Sequence, residues 1–259
     1  MSRLAARALT CRRGLRTVLE AIDVAFAADQ VTAIIGPNGS GKTTLLRHLA
    51  GLDRAAGGDV EIDGTPLGRL AAGVRARRIA YLPQGASIYW PLLGRDLVAL
   101  GRLPHGADLG RPLSAPDADA VDRALHRVDG VAFAGRTVDA LSQGERARLL
   151  LARTLATEAE ILLADEPVAS LDPAYALDTM AVLRAEARRG ASVVVSLHDL
   201  GLAARFADRV IVLAGGRVAA DGPPAESLRP AVIDAAYGVG FRTVILEGVT
   251  QPVAWSRRP

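Results

Sequence analysis

The chain has 259 residues, half of them hydrophobic and 4% aromatic, and a formal net charge of only +3. A chain of this length and apolar content can bury a large core, which excludes an intrinsically disordered protein. The small charge, without interleaved basic and aromatic residues, argues against a nucleic-acid partner.

The N-terminal segment MSRLAARALTCRRGLRT is basic but lacks the apolar stretch of a secretory signal. Farther along, Asp or Arg interrupts every apolar run before the roughly 18 residues that a membrane-spanning helix needs. A single cysteine, Cys11, cannot form an internal disulfide, which agrees with a reducing compartment. We therefore expect a cytoplasmic protein without a transmembrane segment.

Strand and helix signals alternate along most of the chain, which predicts an α/β fold with a largely parallel sheet. Period-two alternation over residues 18–35 and 60–62, with a turn at Asp63-Gly64, indicates an antiparallel β edge near the N-terminus. The segments VTAII and IAYLP predict strands, and TTLLRHLA predicts a helix between them.

The strand signals stop between residues 84 and 156, where RDLVALGR, DADAVDRALHRV and RARLLLARTLA have helical spacing. We therefore expect a helical subdomain, 84–156, inserted into one domain that spans residues 1–259. EILLAD and ASVVVSL then predict strands, and RVIVLAGGRVAADG predicts a hairpin. Between these strands a helix should start after the N-cap Asp172, with Pro173 at its first position, and end at Gly190.

The segment GPNGSGKT fits the phosphate-binding pattern G-x-x-x-x-G-K-[ST] and lies between a predicted strand and a predicted helix. Its glycines let backbone N–H groups turn toward phosphates, Lys42 reaches the β and γ oxygens, and the Thr43 hydroxyl can bind Mg²⁺. Lys42 is also the one lysine of the chain, which indicates a task unsuited to a broad guanidinium. We predict that the nucleotide is bound by Gly36, Pro37, Asn38, Gly39, Ser40, Gly41, Lys42, Thr43 and Thr44.

Two adjacent carboxylates, Asp165 and Glu166, end the apolar strand ILLAD. Beside a phosphate loop, Asp165 can hold Mg²⁺ through its water shell and Glu166 can orient or deprotonate an attacking water. Adjacent acids can equally be a solvated turn or a helix cap. His198 and Gln84 also follow predicted strands, and taken singly each fits an ordinary structural or surface residue.

The segment LSQGER, residues 141–146, has the spelling of a capping box, with Ser142 followed by Glu145 before an apolar run. Because a helix N-terminus also attracts anions, this segment is either an ordinary cap or a second phosphate site.

Taken in chain order, the phosphate loop, Gln84, LSQGE, ILLADEP, SLD at 170–172 and His198 resemble the ATP-binding subunits of ABC transporters over nearly the whole chain. The resemblance implies an ATP hydrolase with a P-loop NTPase core, an antiparallel β subdomain and an inserted helical subdomain. It implies the following roles: Mg²⁺ contacts from Thr43, Gln84 and Asp165, a catalytic base at Glu166, a γ-phosphate contact from His198, a D-loop at Asp172, and communication with a membrane partner through Gln84.

The same resemblance assigns Ser142, Gln143, Gly144 and Glu145 to the signature motif, which contacts the γ-phosphate held by the partner in a head-to-tail homodimer. Gln143 replaces the usual glycine and Glu145 stands where glutamine is commoner. Gly144, which allows close backbone approach to phosphate, is retained.

A finer resemblance comes from VALGRLPHG, from LHDLGLAARFADRVIVLAGGRVAADGPPAESL and from VIDAAYGV. These segments resemble the ATPases that import iron-siderophores, haem and cobalamin, with molybdate and zinc importers close in style. This implies import of a metal chelate at the cytoplasmic face of the inner membrane, through a separate permease and indirectly with a substrate-binding protein. The alternatives are a soluble ATPase of the iron–sulfur assembly type and a nucleotide-gated regulatory module with little hydrolysis.

Two features lie outside the shared motifs. Cys11, Arg12 and Arg13 stand where the family commonly has an aromatic residue that stacks on adenine, so an arginine plane or another residue stacks on the base, or the stacking is weak. Tyr89 and Trp90 follow Gln84 closely and predict a groove for a helix of the permease, with ordinary core packing as the alternative.

Overall fold

The computed structural model describes residues 2–86, 88, 90–108, 110–169 and 171–257. Its strands are β1 (Ser2–Arg13), β2 (Arg16–Ala27), β3 (Gln30–Ile35), β4 (Gly57–Ile62), β5 (Thr65–Pro66), β6 (Ile79–Leu82), β7 (Ile161–Asp165), β8 (Ser192–Ser196), β9 (Arg209–Ala214), β10 (Arg217–Gly222), β11 (Val239–Leu246) and β12 (Val249–Arg257).

The helices are α1 (Lys42–Leu49), α2 (Ala72–Arg78), α3 (Gly94–Ala99), α4 (Ala115–Arg127), α5 (Gln143–Ala156), α6 (Pro173–Arg188), α7 (Leu200–Phe206), α8 (Pro224–Ser227) and α9 (Pro230–Tyr237). Short 3-10 segments lie at Leu67–Arg69, Leu100–His105, Val131–Phe133 and Val138–Ala140. Within the described ranges, no helix has the length and apolar character needed to cross a membrane.

The central sheet has the strand order β10-β9-β3-β8-β7-β6. Strands β9, β3, β8, β7 and β6 are parallel, and β10 is an antiparallel edge. Every residue of β7 and β8 is buried, which explains their nearly continuous apolar sequence. The α/β prediction is therefore confirmed, and the carboxyl ends of β3, β6, β7 and β8 meet at one edge of the sheet.

A separate antiparallel sheet has the order β2-β1-β4-β5. This confirms the predicted antiparallel edge for residues 18–27 and 60–62, with positive φ angles at both Asp63 and Gly64 in the turn. The prediction was wrong for residues 30–35, which form β3 in the middle of the parallel sheet. Residues 31–35 are buried on both faces, and such a strand does not need period-two alternation.

Helices and turns occupy the described residues between β6 and β7, as predicted, apart from one isolated bridge between Leu93 and Thr137. Helix α5 packs against α3 and α4. The buried Arg102 donates to the Asp117 carboxylate and to the Ala156 carbonyl, both at 2.8 Å, and so links the first turn of α4 to the end of α5. The limits 84 and 156 of a separate subdomain remain a prediction.

A C-terminal hairpin, β11–β12, was missed in the sequence. It packs against α7. Its two-residue turn has positive φ angles at Glu247 and Gly248, so the Glu-Gly pair between VIL and VT was an available signal. The predicted β9–β10 hairpin and the helix capped by Asp172 are confirmed, and Gly190 has φ +103° just after α6.

Candidate functional site

The phosphate-loop sequence connects the end of β3 to the start of α1. At Gly36, which has φ +152°, an added Cβ would lie 2.2 Å from the Leu213 carbonyl oxygen and 2.7 Å from Ser40 Oγ. Only glycine fits this turn. No side chain caps the start of α1 among the described residues, so its backbone N–H groups are available to an anion.

Lys42 is buried at the inner face of this loop. Its Nζ donates to the Gly36 carbonyl oxygen at 2.8 Å and to the Pro37 carbonyl oxygen at 3.4 Å. Burial lowers the pKa of Lys42, and the nearby Glu166 and Asp165 carboxylates oppose that effect. The loop therefore holds its ammonium group by backbone carbonyls.

Asp165 ends β7 and is only 1% exposed. Ser196 Oγ, on β8, donates to Asp165 Oδ1 at 2.7 Å, and the Tyr81 hydroxyl, on β6, donates to Oδ2 at 3.3 Å. Burial and the Asp165 carboxylate both raise the pKa of Tyr81, so its hydroxyl remains a donor. Both oxygens of this carboxylate are thus held by the neighbouring strands.

Glu166, the next residue, has φ +49°, a conformation that is unusual for a side chain other than glycine. Its backbone N–H donates to Ser196 Oγ at 2.8 Å. Its carboxylate accepts a hydrogen bond from Gln84 Nε2 and contacts His198 Nε2 through its other oxygen. The predicted catalytic residues Gln84, Glu166 and His198 therefore lie together at the carboxyl edge of the sheet.

A cleft of about 710 Å³ opens over this edge. Its lining unites the phosphate loop with the catalytic residues and with the β1–β2 turn, in the following set: Arg13, Arg16, Thr17, Val18, Asn38, Gly39, Gly41, Lys42, Thr43, Thr44, Gln84, Glu166, His198, Gly215 and Gly216. Of the other predicted nucleotide-binding residues, Gly36 and Pro37 contact Lys42 through their carbonyls and Ser40 is buried. Asp165 does not line the cleft, and its contact with Mg²⁺ remains a prediction.

Of the three residues at the expected position of the aromatic residue, Cys11, Arg12 and Arg13, only Arg13 lines the cleft. Cys11 is fully buried, and burial raises the pKa of its thiol to about 11. Arg12 does not line the cleft, whereas Arg13 does, and so does Arg16, which sequence reasoning missed. None of the cleft-lining residues in the described part of the chain is aromatic.

Ser142 caps α5 and forms the predicted capping box, which is confirmed. The Glu145 backbone N–H donates to Ser142 Oγ at 3.3 Å, and the Ser142 backbone N–H donates to Glu145 Oε2 at 2.7 Å. Hydrogen bonds to its carboxylate from the Ser142 backbone N–H and side chain, with a further one from Arg136, lower the pKa of Glu145. Ser142, Gly144 and Glu145 do not line the cleft of their own chain, and Gln143 lines a neighbouring groove with Gln84 and Glu166.

Tyr175, which sequence reasoning missed, joins this helix start to that of α6. A Cβ at Gly144 would lie 3.0 Å from Tyr175 Cε2, so the ring packs directly on this glycine. The Tyr175 backbone N–H donates to the N-cap Asp172 at 3.0 Å, and the Arg148 guanidinium lies 4.3 Å from the centre of the Tyr175 ring. The predicted signature and D-loop segments are therefore packed together.

Trp90 is 76% exposed, which excludes core packing for this residue. Leu93, nearby in sequence, is 42% exposed. Tyr89 lies outside the described residues. The predicted permease contact at Tyr89 and Trp90 remains a prediction.

Comparison with known proteins places these features in a family. The sequence model of the ABC transporter family matches residues 19–169. The hemin import ATP-binding protein HmuV of Nocardia farcinica is 45% identical over 222 residues, which cover 86% of this chain and 76% of that protein. HmuV of Streptomyces coelicolor is 44% identical, covering 90% of this chain and 82% of that protein. The cobalamin import ATP-binding protein BtuD of Halobacterium salinarum is 41% identical, covering 85% of this chain and 55% of that protein.

Solved structures agree on the fold. A metal-chelate type ABC transporter in an inward-facing conformation superimposes with a TM-score of 0.85 at 22% identity, covering 98% of both chains. A dimeric bacterial ABC transporter cassette superimposes with a TM-score of 0.74 at 26% identity, covering 85% of this chain and 98% of the other. The chain therefore belongs to the ABC transporter family, as one of its ATP-binding and ATP-hydrolysing subunits.

Proposed function

We propose that this chain powers the import of a metal chelate of the haem or cobalamin type, through a separate transmembrane permease, by cycles of ATP-driven dimerisation and hydrolysis. The observation that carries the proposal is the meeting of Lys42, Gln84, Glu166 and His198 in one cleft. The cargo class is supported by the hemin and cobalamin import names of relatives that are 41–45% identical to the chain.

In this cleft, we assign the triphosphate to the loop N–H groups and Lys42. Thr43, Gln84 and Asp165 offer the hydroxyl, amide and carboxylate oxygens that Mg²⁺ prefers, so the donor set fits this ion. Bound there, Mg²⁺ would neutralise charge on the β- and γ-phosphates.

Glu166 is positioned to accept a proton from the water that attacks the γ-phosphorus. Its carboxylate already contacts Gln84 and His198, so both side chains can fix its orientation. We assign His198 to the γ-phosphate and Gln84 to the connection between nucleotide state and the permease.

The cleft of one chain lacks the signature residues, since Ser142, Gly144 and Glu145 do not line it. A head-to-tail homodimer supplies them from the partner, and the exposed helix start at Ser142 offers N–H groups to a γ-phosphate. ATP then stabilises the dimer, and its hydrolysis weakens it. We assign Trp90, with Tyr89, to the contact with the permease. The subunit would then lie at the cytoplasmic face of the inner membrane. A substrate-binding protein would act on it only indirectly, through the permease.

The test is transport by the complex of this chain with its permease, reconstituted in proteoliposomes that are loaded with ATP. Haem, cobalamin, an iron-siderophore and molybdate are each supplied with the cognate binding protein. ATP-dependent uptake of one metal chelate, lost in Glu166→Gln, is the expected result. Hydrolysis without uptake of any chelate, or uptake of molybdate alone, would contradict the proposed cargo class.

A further inference from the structure

Ser196 is the last residue of β8 and lies beside Asp165 in the parallel register of β7 and β8. It is 0% exposed. Its strand, SVVVS, is otherwise made of valines between two serines, all buried. Burial of a hydroxyl is unfavourable unless it is hydrogen-bonded, so the partners of this hydroxyl should explain why the strand ends in serine.

The Ser196 hydroxyl touches two consecutive acidic residues at once. The backbone N–H of Glu166 can only donate, so Ser196 Oγ accepts that bond at 2.8 Å. The single hydroxyl proton then goes to Asp165 Oδ1, at 2.7 Å. Because the hydroxyl donates to one acid and accepts from the other, the side chain fixes the Asp165 carboxylate and the Glu166 backbone relative to each other.

The bond to Glu166 falls at a residue whose backbone conformation is uncommon for a residue other than glycine. Glu166 has φ +49°, and this left-handed turn directs its side chain out of the sheet toward Gln84 and His198. Without an acceptor at Ser196, the Glu166 N–H would lose its partner and the turn would lose a constraint.

We propose that Ser196 is a positioning residue for ATP hydrolysis: its hydroxyl sets the carboxylate of Asp165 for the Mg²⁺ site and holds the backbone turn that aims Glu166 at the attacking water. This inference rests on the proposed function and adds to it a residue that acts through both acids without touching nucleotide.

The chain offers two matched comparisons. Ser192 is at the other end of β8 and is 1% exposed, but its hydroxyl has no hydrogen-bond partner among the residues that the structure describes. Tyr81 donates to the other oxygen of Asp165, and among the described residues its hydroxyl bonds to no other partner. Ser192→Ala therefore removes an equally buried hydroxyl without effect on either acid, and Tyr81→Phe affects Asp165 alone.

The experiment uses the full chain with Ser196→Ala, Ser196→Cys, Ser192→Ala and Tyr81→Phe. Binding of a fluorescent ADP analogue is titrated at increasing Mg²⁺ and in EDTA, and turnover is measured at saturating Mg²⁺ and ATP. Cysteine nearly keeps the volume of serine but bonds weakly, so it covers the case in which Ser196→Ala fails to fold.

For both Ser196 variants we expect kcat to fall and the Mg²⁺ concentration required for nucleotide binding to rise. The larger of these two changes should be about 10- to 100-fold, since residues that orient metal ligands have effects of this size. Nucleotide affinity in EDTA should stay within about twofold of the parent chain, since the phosphate loop is untouched. Ser192→Ala should match the parent chain, and Tyr81→Phe should shift the Mg²⁺ requirement more than kcat.

Equal Mg²⁺ curves and equal kcat for Ser196→Ala and Ser192→Ala would overturn the inference. Failure of the proposed function looks different: the parent chain would then hydrolyse ATP without supporting uptake, while the Ser196 and Ser192 variants would still differ in Mg²⁺-dependent nucleotide binding.

Discussion

The two predicted phosphate sites differ in how completely one chain builds them. At the carboxyl edge of the sheet, Lys42 is held by loop carbonyls and Glu166 by Gln84 and His198. At the start of α5, the polar groups of the capping box bond to each other, and Ser142 remains exposed. One chain therefore brings together the residues that we assign to nucleotide, whereas at the start of α5 it builds a capped helix end whose assigned phosphate comes from a partner.

This difference separates binding from turnover. A single chain has the groups to hold nucleotide, and the capping box keeps α5 folded before any partner arrives. Because the tyrosine ring of Tyr175 packs Gly144 against the start of α6, the signature and D-loop segments should approach a partner as one surface. Changes in the cleft should therefore alter chemistry or affinity, whereas changes at Ser142 should alter assembly.

The largest effect is expected from Glu166→Gln. Glutamine keeps the size of glutamate but cannot accept the proton of the attacking water, so phosphate release should fall about 10²- to 10⁴-fold. ATP binding and ATP-driven dimerisation should persist, because neither needs the proton transfer. Phosphate release and size-exclusion chromatography with ATP measure the two effects. The exposed Glu226→Gln is the control, and an unchanged rate in Glu166→Gln would show that another group is the base.

The next largest effect should separate the capping role of Ser142 from its phosphate role. Asp and Asn both cap helices as well as Ser does. Asp, however, would set a negative charge against the partner's γ-phosphate, a repulsion that should reduce dimerisation and hydrolysis about 100-fold. Ser142→Asn should keep far more of both activities, and nucleotide binding by the single chain should be the same in the two variants. Equal activity of the Asp and Asn variants would reduce this segment to an ordinary cap.

The sequence predicted those parts of the two regions whose contacts are between residues close together in the chain. The phosphate loop, the acids after β7 and the capping box are written in consecutive residues, because each depends on a local turn or helix start. Ser196, Tyr81 and Tyr175 were missed, because their roles come from partners about 30 to 85 residues away in the chain. Only the pairing of neighbouring strands and helices brings them to the site.

The same limit applies to the fold. Residues 30–35 were assigned to the antiparallel edge, since their sequence does not record which strands lie on either side. The hairpin β11–β12 was missed although its Glu-Gly turn was present, because its strands carry exposed apolar residues on an edge rather than the alternation of a half-buried sheet.

Trp90→Ala tests a surface outside both phosphate sites. Trp90 is 76% exposed, so its removal should leave the fold and basal hydrolysis intact. If its ring anchors a permease helix, loss of a central aromatic contact of about 2 kcal/mol should lower uptake by the reconstituted complex by roughly 30-fold. Ile245→Ala, at an apolar residue of the C-terminal hairpin that is 69% exposed and outside the cleft lining, is the control. A parallel loss of hydrolysis and uptake would contradict the docking role.

The smallest effect should come from the wall of the cleft that Arg13 and Arg16 line, which we assign to the base. Arg13 and Arg16 are part of this wall, with no aromatic residue among the lining residues that the structure describes. A cation over an aromatic base contributes about 0.5–1 kcal/mol at an exposed site, so Arg13→Ala should raise the KM for ATP roughly 2- to 5-fold with kcat unchanged. Arg12→Ala, one residue away but outside the cleft, is the matched control.

A guanidinium plane stacks on any purine, so ATP and GTP should have similar KM values in the parent chain. Equal effects of Arg12→Ala and Arg13→Ala would mean that only the net charge of the turn, rather than contact with the base, attracts the nucleotide.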